Sequence, residues 1–262
     1  MSSCGVRDDS GETSPVIERI LTGVTSVNQN QNPEPARTQE TKRLTLLVVS
    51  RWFAAGLFLG ILLFVQAGTV DYWQAWVFMG ILLIPAFVVM LVGVRAAPDL
   101  IQRRMRLKER VPEQRGIVKY YVLLLALALV IPGLDRRLGW SSVPIAVVVA
   151  ADIVVFLGYV LFVLVLKENR YASRVVEVEQ GQPVIRSGPY AVVRHPMYVA
   201  ILMIYVLCPL ALASYWGLAI SVWFVPVLVA RIRSEESVLA RDLPGYIEYT
   251  RSTPSRLVPG IW

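Results

Sequence analysis

Six apolar runs, separated by short or charged connections, decide what this chain can fold into. They are Leu44 to Gln66, Trp73 to Val94, Ile117 to Leu134, Val143 to Leu166, Pro196 to Ala213 and Tyr215 to Ala230. About 20 residues of helix cross a hydrocarbon core ~30 Å thick, and inside that core a backbone pairs its own N–H and C=O groups only as a helix or a closed barrel. The runs are far longer than ordinary strands, so helices are expected. The last two lie near the lower limit for a full crossing, with only Ser214 clearly between them. A tight transmembrane hairpin and a re-entrant pair both remain open. Either brings Arg231 back to the side where Arg194 and His195 begin.

Composition agrees with this class: 55% of the residues are hydrophobic and 17% charged, too apolar for an ordinary soluble domain. The net charge of +7 does not indicate nucleic acid, because the basic residues flank apolar runs and so record membrane orientation. Of 26 Lys and Arg residues, a six-span arrangement leaves only Arg136 and Arg137 in loops on the outer side. That predicts a multi-pass protein with both termini cytoplasmic, in a bacterial inner membrane or its equivalent. Cys4 lies in a polar segment and Cys208 inside an apolar run, which excludes a CxxC metal site and gives no support to redox chemistry.

The expected fold is an all-α polytopic membrane helical bundle of about six spans, its site at the cytoplasmic face and formed by the C-terminal half. Residues 1–40 are polar, Asn28 to Pro33 most clearly so, and read as a disordered cytoplasmic tail, not a cleavable signal peptide. Residues 41–169 read as N-terminal transmembrane helices and 170–262 as the part holding the site. Between Arg95 and Lys119, Leu100, Ile101, Met105 and Leu107 lie among many charges, the pattern of a surface amphipathic helix. Span three is expected to end at Pro132-Gly133. Asp152, ionisable and within span four, is a secondary candidate packed toward the bundle interior or an interface. Arg174 to Ile185 alternates apolar and polar residues around a Gly-containing turn, as a small hairpin or extended loop would.

Chemistry concentrates at two places. His195, the single histidine, sits between Gly188-Pro189-Tyr190 and Pro196, and Pro196 suits the first position of a helix. His195 is therefore expected as its cap, biased by the helix dipole toward the neutral imidazole. Tyr190 and Tyr198 bracket it, and a phenol face attracts a cationic group. One helical hairpin later, Arg231 and Glu235 are spaced to share a helix face, while Arg233 and Glu236 point elsewhere. Pro244 to Tyr249 and Pro254 to Pro259 read as turn and docking segments able to close over a ligand.

Gly188-Pro189-Tyr190, Arg194-His195-Pro196-x-Tyr198, Arg231-x-x-x-Glu235-Glu236-x-x-Leu239 and the tyrosines after Gly245, in this order, resemble the isoprenylcysteine carboxyl methyltransferase family, within a wider group that includes phospholipid N-methyltransferases. The likeness covers roughly residues 170 to 259, which makes 170–262 a methyltransferase core with a helical hairpin. The resemblance implies S-adenosyl-L-methionine as cofactor, held by Gln182, Pro183, Val184, Ile185, Tyr190, His195, Pro196, Met197, Tyr198 and Glu235. It implies Arg231 as the substrate residue, with Arg231 and Glu235 carrying catalysis. A carboxylate acceptor that is lipidic or small and membrane-accessible is the default. A lipid amine, a small thiol, a membrane reductase and a non-catalytic transporter are the alternatives. No nucleic acid, metal or particular oligomer is implied.

Overall fold

The computed structural model describes residues 33–96, 112–169, 171 and 181–262. The chain divides into two units, residues 1–43 and 44–262, and in the first the described part is the start of a helix. That helix, α1 (Pro33–Gly60), begins ahead of the apolar run and passes into a π-helical stretch, Ile61–Val65. There follow α2 (Trp73–Ala96), α3 (Pro112–Leu138), α4 (Ile145–Glu168), α5 (Pro196–Ala211), α6 (Tyr215–Ser221), α7 (Phe224–Asp242) and α8 (Tyr246–Ser252). Among the described residues there is no strand. Residues 1–32 of the tail expected over 1–40, residues 97–111 of the stretch between Arg95 and Lys119 and residues 174–180 of the hairpin expected over Arg174 to Ile185 lie outside the described residues. Residues 33–40, expected as disordered tail, are helical.

Four helical stretches, Thr41–Val65, Trp73–Ala96, Ile145–Glu168 and Tyr215–Asp242, are long and apolar enough to cross a membrane, and Pro196–Ala211 is a shorter apolar helix. Their outward faces carry large apolar side chains, among them Phe53, Leu57, Ile84, Val88, Ile153 and Phe156, all exposed on the isolated chain. On helices of this length such faces are solvated by lipid and need no water-side partner.

Pro132 and Gly133 do not end span three: α3 runs on to Leu138, and the chain turns at Gly139 with a φ of 65°. The helix continues because the proline and glycine serve close packing instead. A Cβ on Gly133 would lie 2.6 Å from Gln66 Cβ, and one on Gly217 would lie 3.0 Å from Pro132 Cγ. At this end of the bundle the buried Asp135 carboxylate accepts hydrogen bonds from the Ser141 N–H at 2.7 Å, the Ser141 hydroxyl at 2.7 Å and the Ser214 hydroxyl. Ser214 also caps α6, its hydroxyl accepting from the Gly217 N–H at 2.9 Å. The end of α3 and the α3–α4 and α5–α6 connections are thereby tied together, and both Asp135 oxygens have donors.

α4 and α5 pack along their lengths, and the core they share includes Ala151, Val155, Ile204, Cys208, Phe78 and Phe224. They approach closely at Gly158, where a Cβ would stand 2.8 Å from Met203 Cβ and 3.2 Å from the Ala200 carbonyl oxygen. Gly158→Val is therefore expected to destabilise the protein by ~1–3 kcal/mol through overpacking, read as a lower midpoint of thermal unfolding in detergent. Asp152 lies on the same buried side of α4, 6% exposed, and its Oδ1 has no hydrogen-bond partner among the described residues. It faces the interior, away from the charged cluster described next.

Candidate functional site

The hairpin α5–α6–α7 builds the site by bringing two distant stretches of sequence to one end of the bundle. α5 turns at Leu212 to Ser214, with Ala213 at a φ of 57°, and the returning chain breaks between Ser221 and Phe224 before α7. The apolar part of α7 ends at Ala230, and Arg231 is the first residue past it. Its Nε donates to the Tyr198 phenol oxygen at 3.0 Å, one turn into α5, and the Tyr198 hydroxyl in turn donates to Glu235 Oε2. Arg231 and Glu235 share a face as their spacing requires, and the phenol sits between them. Beneath it Tyr198, Leu228, Ile232 and Leu257 form a buried apolar floor. No further partner of the Glu235 carboxylate is found among the described residues.

Glu236 corrects the sequence reading, which turned it away from the site. One step around α7, its Oε1 accepts from Arg194 Nε at 2.8 Å and lies 3.2 Å from His195 Nε2, and its Oε2 accepts from Arg256 Nε at 2.8 Å. It faces the C-terminal segment, so a helix face that looked solvated is covered. Arg194, 7% exposed, also donates from Nη1 to the Thr253 and Pro254 carbonyls at 3.0 and 2.8 Å. The segment is further pinned by backbone bonds from Arg194 N to Ser255 O and from His195 N to Arg256 O, each 3.0 Å. Arg256 also lies over the Trp262 ring, 5.1 Å from its centroid. The docking expected of Pro254 to Pro259 is thus seen in these bonds.

His195 stands at the N-cap of α5 with Pro196 opening the helix, as expected, but its side chain makes no capping hydrogen bond. Its backbone carbonyl accepts from Tyr198 N at 3.0 Å while the imidazole is drawn to Glu236. An ionised carboxylate only accepts, so the geometry assigns the proton to Nε2. The histidine orients the carboxylate and leaves the helix end to its backbone.

Burial raises the Glu236 carboxyl, the largest single effect, yet the hydrogen bonds from His195 and Arg256 and the charges of His195 and Arg194 together bring it down from an ordinary 4.5 to about 2. A depressed carboxyl stabilises the fold fully above its ordinary value and loses that contribution as pH falls through its folded value. The expected result is a stability that declines from about pH 4.5 toward about pH 2, with this part of the decline missing in Glu236→Gln, checked by thermal unfolding across that window.

Of the remaining expected residues, two lie in a second packed patch. Val184 and Tyr190 pack against buried Leu243, Tyr246 and Tyr249, with Leu239 of α7 beside them. Tyr249 donates its hydroxyl to the Tyr190 carbonyl at 2.7 Å, and Asn169 Nδ2 donates to the Tyr190 hydroxyl at 2.9 Å. Arg186 Nη2 donates to the Gly245 carbonyl at 3.1 Å. Pro183 is exposed, and Gln182, Ile185 and Met197 are half-buried. Glu236, Arg256 and Tyr246 were missed as site residues. The signal for Glu236 was the density of cations around His195 in a chain with few acids, and for Arg256 its place in a segment that already looked like a docking strand.

Residues 148–241 match the model of the Isoprenylcysteine carboxyl methyltransferase (ICMT) family. A search of curated proteins finds no match. The matched region runs from α4 to the end of α7 and contains His195, Tyr198, Arg231, Glu235 and Glu236. This part of the chain is thus similar to that methyltransferase family, and with its membrane-length helices the protein is an integral membrane protein.

Proposed function

We propose that this chain, with its α4-to-α7 region similar to the methyltransferase family, is an S-adenosyl-L-methionine-dependent membrane methyltransferase. By default it is a carboxyl O-methyltransferase acting on a lipidic or small, isoprenylcysteine-like acceptor. The observation that carries this reading is the Arg231–Tyr198–Glu235 chain of hydrogen bonds at the point where an apolar hairpin gives way to charge. Its chemistry fits the cofactor and acceptor together. Glu235 offers an acceptor for hydroxyl or amino groups of the cofactor, beside the patch of Val184 and Tyr190 and the helix start His195 to Tyr198. Gln182, Pro183 and Ile185 complete the cofactor-binding loop in this reading. The Arg231 guanidinium supplies charge and donors for a carboxylate.

When bound, the cofactor supplies an electrophilic methyl on a sulfonium. Because a carboxylate is ionised at neutral pH, the protein needs no strong base; it aligns the acceptor oxygen in line with that methyl and excludes water. Arg231 fixes the carboxylate, Glu235 and Tyr198 hold the nucleoside side, and the Glu236 cluster keeps the C-terminal segment closed on the helix start.

We count α1, α2, α3, α4, α5 and α6–α7 as the six spans, α3 being long enough at 27 residues. The charged ends at 181–195 and 231–262 then lie in the cytoplasm, as the distribution of Lys and Arg supports. The test is incubation of the purified protein with methyl-labelled S-adenosylmethionine and a prenylated cysteine analogue. Label released by mild base as methanol is the expected result. A base-stable product would move the acceptor to an amine or thiol, and no transfer to any of the three acceptor types would sink the proposal.

A further inference from the structure

Tyr246 opens α8 directly after Gly245, whose φ of 81° turns the chain so that the side chain enters the patch between α7 and the 181–191 loop. It is 5% exposed, packed with Leu243, Tyr249, Val184, Tyr190 and Leu239. Its ring centroid is 6.0 Å from that of Tyr249. Its hydroxyl is buried and has no hydrogen-bond partner among the described residues. Burial, first, and then the charges of Glu236 and Glu235 raise this phenol above its ordinary value, so both carboxylates lie within electrostatic reach of it. A buried hydroxyl left unpaired is costly, and a protein retains one where something else completes it. Tyr246 lies outside residues 148–241, the range matched by the family model, and the resemblance gives it no cofactor or substrate role.

We infer that Tyr246 is a ligand-binding residue whose O–H donates to an acceptor atom on the nucleoside half of the cofactor. The inference rests on the proposed use of S-adenosylmethionine. The nucleoside half is chosen over the amino-acid carboxylate for two reasons. Glu235 would repel a second carboxylate here. Tyr190, Tyr246, Tyr249 and Val184 make this patch apolar and aromatic, the chemistry that suits a flat heterocycle, whose ring nitrogens are neutral acceptors.

The test is Tyr246→Phe, which keeps the ring in its cluster and deletes only the hydroxyl. Two measurements are made on the full-length protein in detergent: thermal unfolding without ligand, and titration calorimetry with S-adenosylmethionine and with 5′-methylthioadenosine, which carries the nucleoside alone. The expected result is an unfolding midpoint equal to or above that of wild type, because an unpaired buried group has been removed, together with ~3- to 10-fold weaker binding of both compounds. Equal affinity of variant and wild type for S-adenosylmethionine would overturn the inference, as would a loss confined to S-adenosylmethionine and absent with the nucleoside. A lower midpoint with unchanged affinity would mark the hydroxyl as structural and also overturn it. Failure of the wild-type protein to bind either compound would instead remove the cofactor reading on which the inference stands.

Discussion

Glu236→Ala is expected to lower stability by ~3 kcal/mol, more than any other single change in the charged cluster. The carboxylate compensates Arg194, His195 and Arg256 at once, and its own side chain is 14% exposed. Removing one partner of a largely buried ion pair leaves the others uncompensated, and costs of ~3–5 kcal/mol follow. The lower end applies here because Arg256 is one-third exposed, at 33%, and water screens part of its loss. Since Arg194 and Arg256 hold the 253–262 segment by backbone and side chain alike, the loss should show locally too. Limited proteolysis is expected to cleave after Arg256 faster in the variant, and hydrogen exchange at the His195 and Arg194 amides, which donate to that segment, is expected to rise. Equal protection in variant and wild type would show that the segment is held by other means.

Glu235→Ala and Arg231→Ala are expected to spare the fold and remove function. Neither side chain belongs to the apolar floor under Tyr198, so truncation opens no core cavity. Each does remove a charged partner of the phenol, so a lower unfolding midpoint of a still-folded protein is expected; a charged hydrogen bond lost to a bound ligand costs a further ~1.5–3 kcal/mol, or ~10- to 100-fold in affinity. The two variants should differ in kind. Loss of Glu235 weakens cofactor affinity, whereas loss of Arg231 raises KM for a carboxylate acceptor with cofactor affinity close to wild type. Measuring cofactor binding by calorimetry and methyl transfer by label incorporation separates them, and an Arg231→Ala variant with unaltered acceptor KM would remove that residue from the substrate site.

Most of the helical architecture was legible from the sequence because lipid imposes it: a run of 20 or so apolar residues has few other ways to satisfy its backbone. α2 and α4 begin and end within about two residues of the apolar runs. What was not legible is where packing overrides local signals. Pro132-Gly133 looks like a helix stop, but the gap it leaves is filled by the π-helical stretch of α1 on one side and Gly217 on the other, so α3 carries through.

The site divides in the same way. The sharing of a face by Arg231 and Glu235, and their return toward Tyr198, followed from helical spacing and the length of the hairpin. Glu236 did not follow, since a residue one step around a helix is placed by spacing alone on another face, and only the C-terminal segment folded over that face turns it inward. The imidazole of His195 was expected to cap α5, but a carboxylate 3.2 Å away is the stronger attraction.

The central claim is that the Arg231–Tyr198–Glu235 chain and the patch beside it form an S-adenosylmethionine site. The most direct test is equilibrium binding of labelled S-adenosylmethionine to the purified full-length protein, wild type beside Glu235→Ala. The account predicts saturable binding by wild type, weakened ~10- to 100-fold in a variant that remains cooperatively folded. A well-folded wild-type protein that binds no S-adenosylmethionine, or a Glu235→Ala variant that binds it equally well, would contradict it.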